Sequence, residues 1–436
     1  MEIDKTTLKD LSIFGNDDSF SIFRKFDLTL TTGGSHKLRN IFYHPFSSRE
    51  EIIDTQNTVS TLLNFKNLWP TIITNGTLMV VHKFYETVLD QIPKNVNAST
   101  ALQYKLLHPA DFSLVKYSAS HAFDLIKGMR NFVTLLENNL PKPLSILINS
   151  IKRILDREQI EITKNRFFDQ LNFTEVLKFA YFIRYVYKEN ILDLIDGFYK
   201  LDAWFSMGKA RENFNLVDPE IIDNKTPEIQ CSGLYHPLVP TPVSYNVELD
   251  QNNNFIFLTG ANMAGKSTFI KAVGIGVYLA HLGMAVPALK MKISLFNGLL
   301  SNINVEDNIT KGESYFFNEV QRIKNTLVKI TDGRKWLVLI DELFKGTNVE
   351  DAMSCSTAVI KGLIKIKSSL FILSTHLYEI GEGLKSYPNI SFKYFETTVQ
   401  EEELQFSYQL QNGISNDRLG YLILKREKVI EMLDRL

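Results

Sequence analysis

Cysteine is scarce in this 436-residue chain: Cys231 and Cys355 are far apart and show no metal-ligand spacing. Their scarcity argues against a disulfide scaffold and is typical of a reducing compartment. The N-terminal MEIDKTTLKD is polar and does not resemble a signal peptide, and the longest apolar run is interrupted by Lys271 and His281. We therefore expect a cytoplasmic protein with no membrane partner.

A charge excess of either sign is also lacking, because 48 Lys and Arg residues are balanced by 49 Asp and Glu residues. The net charge of −1 provides no overall attraction to nucleic acid, so any DNA contact needs a local basic face or a partner protein. Hydrophobic residues make up 44% of the chain, which is ordinary for a globular protein with a sizeable core. The length predicts about two to three domains.

The clearest motif is TGANMAGKST, in which Gly260 to Ser267 fit the P-loop pattern G-x-x-x-x-G-K-[ST]. Apolar residues before it predict a buried strand, and the residues from Phe269 onward predict a helix. The two glycines allow a turn whose N–H groups converge on phosphate, next to the positive end of the helix dipole. We predict that Lys266 reaches the β- and γ-phosphates and that Ser267 binds Mg²⁺. The predicted nucleotide site comprises Gly260, Ala261, Asn262, Met263, Ala264, Gly265, Lys266, Ser267 and Thr268.

The two parts of the chain differ in their hydrophobic pattern. Residues 1–228 show helical periodicity, with one apolar stripe from Leu144 to Leu155 after Pro143 and another from Ile191 to Phe205. These stripes predict packing faces of helices, with a partner interface as the alternative for some of them. No segment in this part indicates a parallel sheet.

From residue 229 onward, apolar β-prone runs alternate with helical stretches, which predicts a mostly parallel sheet with helices on its faces. FKYFETTV and LQFSYQL, separated by an acidic turn, predict a β-hairpin. The expected fold class is therefore α+β multidomain. An all-α domain (1–228) is followed by an α/β P-loop domain (229–436).

The segment WLVLIDE indicates a second element of the nucleotide site, because an apolar strand ends in two carboxylates. In a P-loop fold we expect this strand to lie beside the P-loop strand. Asp341 would then hold Mg²⁺ through a water molecule, and Glu342 would orient or deprotonate the attacking water. His376 follows the next predicted strand, at the edge where such sheets bind ligands, and could contact the γ-phosphate or the water as a sensor.

The chain resembles the DNA mismatch repair MutS family. The resemblance is carried by TGANMAGKST, DELFKGTN, STHLYEI and KGESYFFNEV, with CSGLYHPLVP and GISNDRLGY at the flanks. It also extends to the N-terminal part, where the segment beginning TLTTGGSHKLRN and the segment LDAWFSMGKARENF resemble the start and end of the family's helical lever domain. Nearly the whole chain is covered, although the helical region looks too short for a full DNA-gripping clamp.

The resemblance implies an ABC-type ATPase that uses ATP and Mg²⁺ and works as a homodimer or as a heterodimer with another MutS-family chain. In that arrangement the signature Gly312, Glu313 and Ser314 caps the γ-phosphate bound by the partner, and a C-terminal segment contributes to dimerisation. Two P-loop positions, Ala261 and Ala264, depart from the family pattern but remain small. Lys345 and Asn348 replace the usual Arg and Ser, at positions that face the dimer interface in the family.

The family reads mismatches with a Phe-x-Glu wedge in an N-terminal domain, and we expect that domain to be absent because the resemblance begins at the lever. Phe84, Tyr85 and Glu86 spell this tripeptide, but they lie in a segment of helical character and predict an ordinary helix.

Two functions are compatible with these features. The first is a DNA-associated ATPase switch acting in DNA repair or recombination, with mismatch recognition itself doubtful. The second is a nucleotide-switched protein adaptor with little DNA binding of its own, which the neutral charge favours.

Overall fold

The computed structural model describes residues 1–15, 20–136, 139–304, 315–400, 403–415 and 429–433. The chain forms two compact units, each built from separate stretches of sequence. One unit contains Met1–Phe26, His44–Ile53 and Arg211–Leu436, and the other contains Asp27–Tyr43 and Asp54–Ala210.

The helices, in chain order, are α1 (Lys5–Asp10), α2 (Ile22–Phe26), α3 (Thr32–Tyr43), α4 (Arg49–Asn64), α5 (Asn75–Glu86), α6 (Ala98–Leu107), α7 (Pro109–Leu135), α8 (Lys142–Leu155), α9 (Ile162–Asn165), α10 (Phe173–Tyr181), α11 (Lys188–Asn213), α12 (Lys266–His281), α13 (Tyr315–Ile330), α14 (Val349–Leu363), α15 (Glu379–Leu384) and α16 (Val429–Leu433). The strands are β1 (Glu2–Ile3), β2 (Glu220–Ile222), β3 (Ile229–Leu234), β4 (Tyr245–Leu249), β5 (Phe255–Thr259), β6 (Lys290–Ser294), β7 (Gly298–Asn302), β8 (Trp336–Asp341), β9 (Ser369–Ser374), β10 (Ile390–Gln400) and β11 (Glu403–Asn412).

The helical unit has its core on the two predicted stripes. In α8 the buried residues include Leu144, Ile148, Ile151 and Leu155, so the i, i+3, i+4 spacing faces inward. In α11 the residues of the second stripe are all buried: Ile191, Leu194, Ile195, Phe198, Leu201 and Phe205. Trp69 stacks on Phe205 of this helix, with ring centroids 4.1 Å apart. The stripes are therefore packing faces, as predicted.

Phe84 lies in the core of the helical unit. Its side chain is 1% exposed within α5, and the Arg184 guanidinium lies 4.8 Å from its ring centroid. A wedge that enters DNA must project into solvent, and this ring does not. The prediction that the Phe84–Glu86 tripeptide is an ordinary part of a helix is confirmed.

The other unit is organised around a seven-stranded sheet with the order β1-β7-β8-β9-β5-β10-β11. All neighbouring pairs are parallel except β10 and β11, which form the predicted antiparallel hairpin. The expectation that the WLVLI strand lies beside the P-loop strand is wrong, because β9 pairs with both β8 and β5 and separates them. Strand order depends on crossover connections, which hydrophobic periodicity does not encode. A second sheet has the order β2-β6-β3-β4.

The N-terminal residues belong to this α/β unit, which differs from the sequence-based boundary at residue 228. β1 pairs in parallel with β7, and Asp10 at the end of α1 is buried. The Asp10 carboxylate accepts hydrogen bonds from Ser301 Oγ (2.6 Å), Ile303 N (3.0 Å) and Asn304 N (3.1 Å). A two-residue strand has no periodic signal, and its partners lie nearly 300 residues away in sequence, so the sequence pattern does not reveal these contacts.

Gly298 allows a close contact between two central strands. It pairs with Trp336 across β7 and β8, and a Cβ at this position would lie 2.0 Å from Trp336 Cζ3. The tryptophan ring is fully buried and cannot move aside. We expect Gly298→Ala to lower the free energy of unfolding by about 1–3 kcal/mol, measured by denaturant unfolding.

Gly362→Ala is the matched control for Gly298→Ala, because nothing lies within 4 Å of a Cβ at Gly362, which is in α14. Removing a helical glycine there should be neutral or slightly stabilising. Equal unfolding midpoints for the two variants would contradict the close Gly298–Trp336 contact.

Among the described residues, no helix combines the length and the apolar character that crossing a membrane requires.

Candidate active site

The P-loop connects β5 to α12 at the carboxyl edge of the large sheet. Every residue of β5 is buried. Gly260 and Gly265 have φ values of 138° and 110°, a left-handed backbone that disfavours side chains, and Gly265 is the N-cap of α12. The loop therefore has the backbone shape that directs N–H groups of a helix N-terminus toward an anion. Ala261 and Ala264 are buried beneath it, whereas Asn262 and Met263 are exposed at its tip.

Lys266 is drawn into the loop from the first turn of α12. Its side chain is buried, and its Nζ donates to Gly260 O (2.7 Å) and Ala261 O (3.0 Å). Burial lowers the pKa of this ammonium group, while the nearby Glu342 and Asp341 carboxylates act in the opposite direction. An ammonium group has three N–H donors, so one remains to contact a phosphate oxygen.

Ser267, Asp341 and Ser374 meet at the ends of three elements. The Asp341 carboxylate, at the end of β8, accepts hydrogen bonds from the Ser267 hydroxyl on one oxygen and from the Ser374 hydroxyl on the other. Mg²⁺ prefers hard oxygen ligands and keeps several waters, so a hydroxyl beside a carboxylate fits this ion. Ser267 and Asp341 are the residues that would hold it, and this metal site stays a prediction. β9 contributes Ser374 because it lies between β8 and β5.

Glu342 follows Asp341 and projects toward the same place, with its side chain 17% exposed. Lys345 Nζ lies 3.3 Å from its Oε2, and His376 Nδ1 lies 3.7 Å from the same oxygen. The neighbouring His376 imidazole and the Lys345 and Lys266 ammonium groups lower the pKa of Glu342 to about 2, although burial opposes the shift. Glu342 is therefore a carboxylate throughout the physiological pH range. His376 is exposed beside it.

A cleft of about 470 Å³ opens directly from the P-loop. Its walls contain Lys266, Ser267 and Glu342 at one end, together with His236, Tyr245 and Tyr408 from distant parts of the chain. Burial lowers the pKa of His236 to about 4, so its imidazole is neutral, and its Nδ1 accepts a hydrogen bond from Leu238 N. Tyr245 is held edge-on by Phe269 and Phe395. The volume and the mixed lining suit a small-molecule ligand.

Comparisons with known proteins find similarity to MutS proteins. The family model for MutS domain V matches residues 256–431. The chain is 29% identical over 254 residues to the DNA mismatch repair protein MutS of Petrotoga mobilis, which is 57% of this chain and 31% of that protein. It is 28% identical over 243 residues to the MutS of Thermotoga maritima, covering 55% of this chain and 30% of that protein. The human MutS protein homolog 4 is 26% identical over 362 residues, covering 79% of this chain and 37% of that protein.

The chain belongs to the MutS family. It covers about a third of the length of the curated relatives it matches, so the match accounts for only part of those proteins. The resemblance noted in the sequence is therefore confirmed at the level of the family.

The structure gives specific roles to two positions where this MutS-family chain departs from the family pattern. Lys345 forms the ion pair with Glu342 described above. Asn348 caps α14, because its side-chain oxygen accepts a hydrogen bond from Asp351 N at 3.0 Å. The predicted signature residues Gly312, Glu313 and Ser314 lie outside the described residues, and α13 begins at Tyr315.

His236, Tyr245 and Tyr408 were not among the residues predicted to bind nucleotide. Tyr408 is 41% exposed on β11 and has φ of 53°, and no local motif marks it. Of the three, only His236 lies in a segment that resembles the family, CSGLYHPLVP. That segment does not indicate that the His236 side chain lines the cleft. Tyr245 and Tyr408 reach the cleft because β4 and β11 border the P-loop in three dimensions.

Proposed function

We propose that this MutS-family chain binds and hydrolyses ATP with Mg²⁺ and works as a dimeric, DNA-associated switch. One observation carries the proposal: Lys266, Ser267, Asp341 and Glu342 converge at one end of a cleft large enough for a nucleotide. Proteins of the MutS family are ATPases, which agrees with this arrangement.

Each group has a distinct task in the proposed reaction. The P-loop N–H groups and Lys266 would bind the β- and γ-phosphates, and Ser267 with Asp341 would hold Mg²⁺, which would neutralise developing charge. Glu342, ionised and fixed beside Lys345 and His376, orients the attacking water and takes up its proton as the water oxygen bonds to the γ-phosphorus. The bond from that phosphorus to the bridging oxygen breaks, and ADP and phosphate leave. The contact of His376 with Glu342 supports a sensor role, in which His376 would contact the γ-phosphate or that water.

The part of the cleft that borders the P-loop also offers groups that suit the nucleoside. His236 is neutral, and Tyr245 and Tyr408 provide aromatic surface with a polar tip, which is the combination that binds a purine ring and its edges. A nucleotide lying along the cleft would place its base against these residues and its phosphates at the P-loop.

The dimer follows from the family arrangement, in which Gly312, Glu313 and Ser314 of one chain would cap the nucleotide of the other. The partner would be a second copy or another MutS-family chain. DNA association is proposed because two of the relatives described above carry the name DNA mismatch repair protein MutS. Mismatch reading through the Phe84–Glu86 tripeptide is not part of the proposal, because Phe84 is buried.

The alternative function is a nucleotide-switched protein adaptor with little DNA binding, and the net charge of −1 favours it. A salt-titrated DNA-binding assay on homoduplex, mismatched and branched DNA distinguishes the two functions. DNA binding through phosphates should appear at about 50 mM salt and weaken steeply, by a factor of about 10³ or more, by about 200 mM. Lys266→Ala, which should bind ATP poorly, is the control that shows whether DNA binding depends on nucleotide. No binding to any substrate at low salt would favour the adaptor.

A further inference from the structure

The backbone after β8 takes a strained path. Glu342 has φ of 60° and Phe344 has φ of 59°, and neither residue is a glycine. A left-handed backbone at such residues is unfavourable and persists only where the surroundings hold it in place. Glu342 N is fixed at the start of the loop, because it donates to Ser374 O at 3.0 Å. The rest of the loop requires another support.

That support comes from α13, which packs against the loop from the first two turns of the helix. The Glu319 side chain is buried, with 4% exposure, and its two carboxylate oxygens accept hydrogen bonds from Lys345 N (3.2 Å) and Gly346 N (3.3 Å). The Phe316 ring lies 5.6 Å from the Phe344 ring. Burial raises the pKa of Glu319, and the backbone N–H groups that it binds oppose this shift.

The loop held by Glu319 is the one that fixes Glu342. Lys345 contacts both carboxylates, since its backbone N–H binds Glu319 and its Nζ lies 3.3 Å from Glu342 Oε2. A shift of the Lys345 peptide would move the ammonium group that pairs with Glu342 and relax the backbone that points Glu342 into the cleft. Glu319 itself does not line the cleft.

We propose that Glu319 is a positioning residue for Glu342, acting through the Lys345–Gly346 peptide. This inference rests on the proposed ATPase function.

The test compares Glu319→Ala, Glu319→Gln and Lys324→Ala in single-turnover hydrolysis and in binding of a fluorescent ATP analogue. Glu319→Ala should reduce the hydrolysis rate by about 10- to 100-fold while the Kd for nucleotide changes by less than about threefold, since a displacement of about 1 Å suffices for such a loss. Glu319→Gln keeps one acceptor oxygen and should fall between wild type and Glu319→Ala. Lys324 is exposed on the same helix, and its replacement should change nothing.

A double-mutant cycle with Glu342→Gln separates positioning from a general structural effect. If Glu319 acts through Glu342, adding Glu319→Ala to Glu342→Gln should leave the residual rate unchanged, whereas a structural defect would lower it further. Should Glu319→Ala not fold, Glu319→Gln is taken through the same cycle. Wild-type rates in Glu319→Ala, or fully additive effects in the cycle, would overturn the inference. A wild-type protein that binds no ATP would instead refute the proposed function.

Discussion

Glu342→Gln should bind Mg-ATP within about threefold of wild type and hydrolyse it about 10²- to 10³-fold more slowly. Glutamine keeps the size and one acceptor oxygen but cannot take up a proton, and general-base groups contribute about this much to rates. The proposed contacts of Lys266 and Ser267 with phosphate and Mg²⁺ do not involve the side chain of Glu342, so binding should survive. Equilibrium binding of a fluorescent analogue and steady-state phosphate release measure the two quantities.

The low pKa of Glu342 adds a pH test to this variant. The pKa of Glu342 is about 2, below its ordinary value. Its carboxylate therefore stays charged above about pH 4 and loses its negative charge only as the pH falls toward 2. A decline in wild-type activity between about pH 7 and pH 5 therefore cannot arise from Glu342, and Glu342→Gln should keep the same decline in its residual rate.

Glu350→Gln is the control for Glu342→Gln, because Glu350 is an exposed carboxylate in the first turn of α14. Its replacement should leave hydrolysis unchanged. Equal steady-state rates for wild type and Glu342→Gln would remove Glu342 from the mechanism.

Lys266→Ala should weaken ATP binding by about 100-fold or more. The ammonium group is buried in the P-loop beside Asp341 and Glu342, and deleting it removes a positive charge that lies beside two carboxylates and the proposed polyphosphate. Loss of a buried, charge-assisted contact costs about 3–5 kcal/mol, which corresponds to this change or more. Isothermal titration of ATP into each variant measures it, and unchanged affinity would contradict the P-loop assignment.

Mixing variants tests whether the site is shared between two chains. In a mixed dimer of Lys266→Ala and Ser314→Ala, both lesions fall on one composite site if Ser314 acts on the partner's nucleotide. The other site is intact, so two nearly inactive proteins should recover up to about half of the wild-type activity per dimer, by symmetry. Coupling between the sites would reduce this recovery.

Mixing Lys266→Ala with Glu342→Gln is the matched control. Lys266 and Glu342 serve the nucleotide of their own chain, so each lesion inactivates a different site and no activity should return. Tag pull-down confirms that mixed dimers form. If confirmed mixed dimers of Lys266→Ala and Ser314→Ala stay inactive, Ser314 does not act in trans.

Much of the candidate site could be predicted from short stretches of sequence. The P-loop between β5 and α12, and the carboxylates at the end of β8, are local patterns in which the residue types and their spacing already state the chemistry. The two apolar stripes in α8 and α11 were equally predictable, because a period of 3.6 residues places them on one face whatever they pack against.

Contacts between distant residues were not predictable in this way. Tyr245 and Tyr408 lie more than 150 residues apart, and nothing in either segment indicates that both line the cleft. Glu319 looks like any acid in an amphipathic helix, yet its carboxylate is buried against the loop that carries Glu342. Burial of the Glu319 carboxylate would be costly without hydrogen bonds, and the N–H groups of Lys345 and Gly346 provide them. These N–H groups reach Glu319 only in the folded chain.

The sequence by itself therefore determined the P-loop, the acidic strand end, the hairpin and the helical stripes, because each depends on backbone preferences and periodicity within about 20 residues. The tertiary structure alone decided that β9 lies between β8 and β5, and that β1 and α1 join the α/β unit. These features depend on strand order and on hydrogen bonds such as those of Asp10 with residues 301–304. Many weak long-range contacts set such an arrangement together, and no single segment carries the information for it.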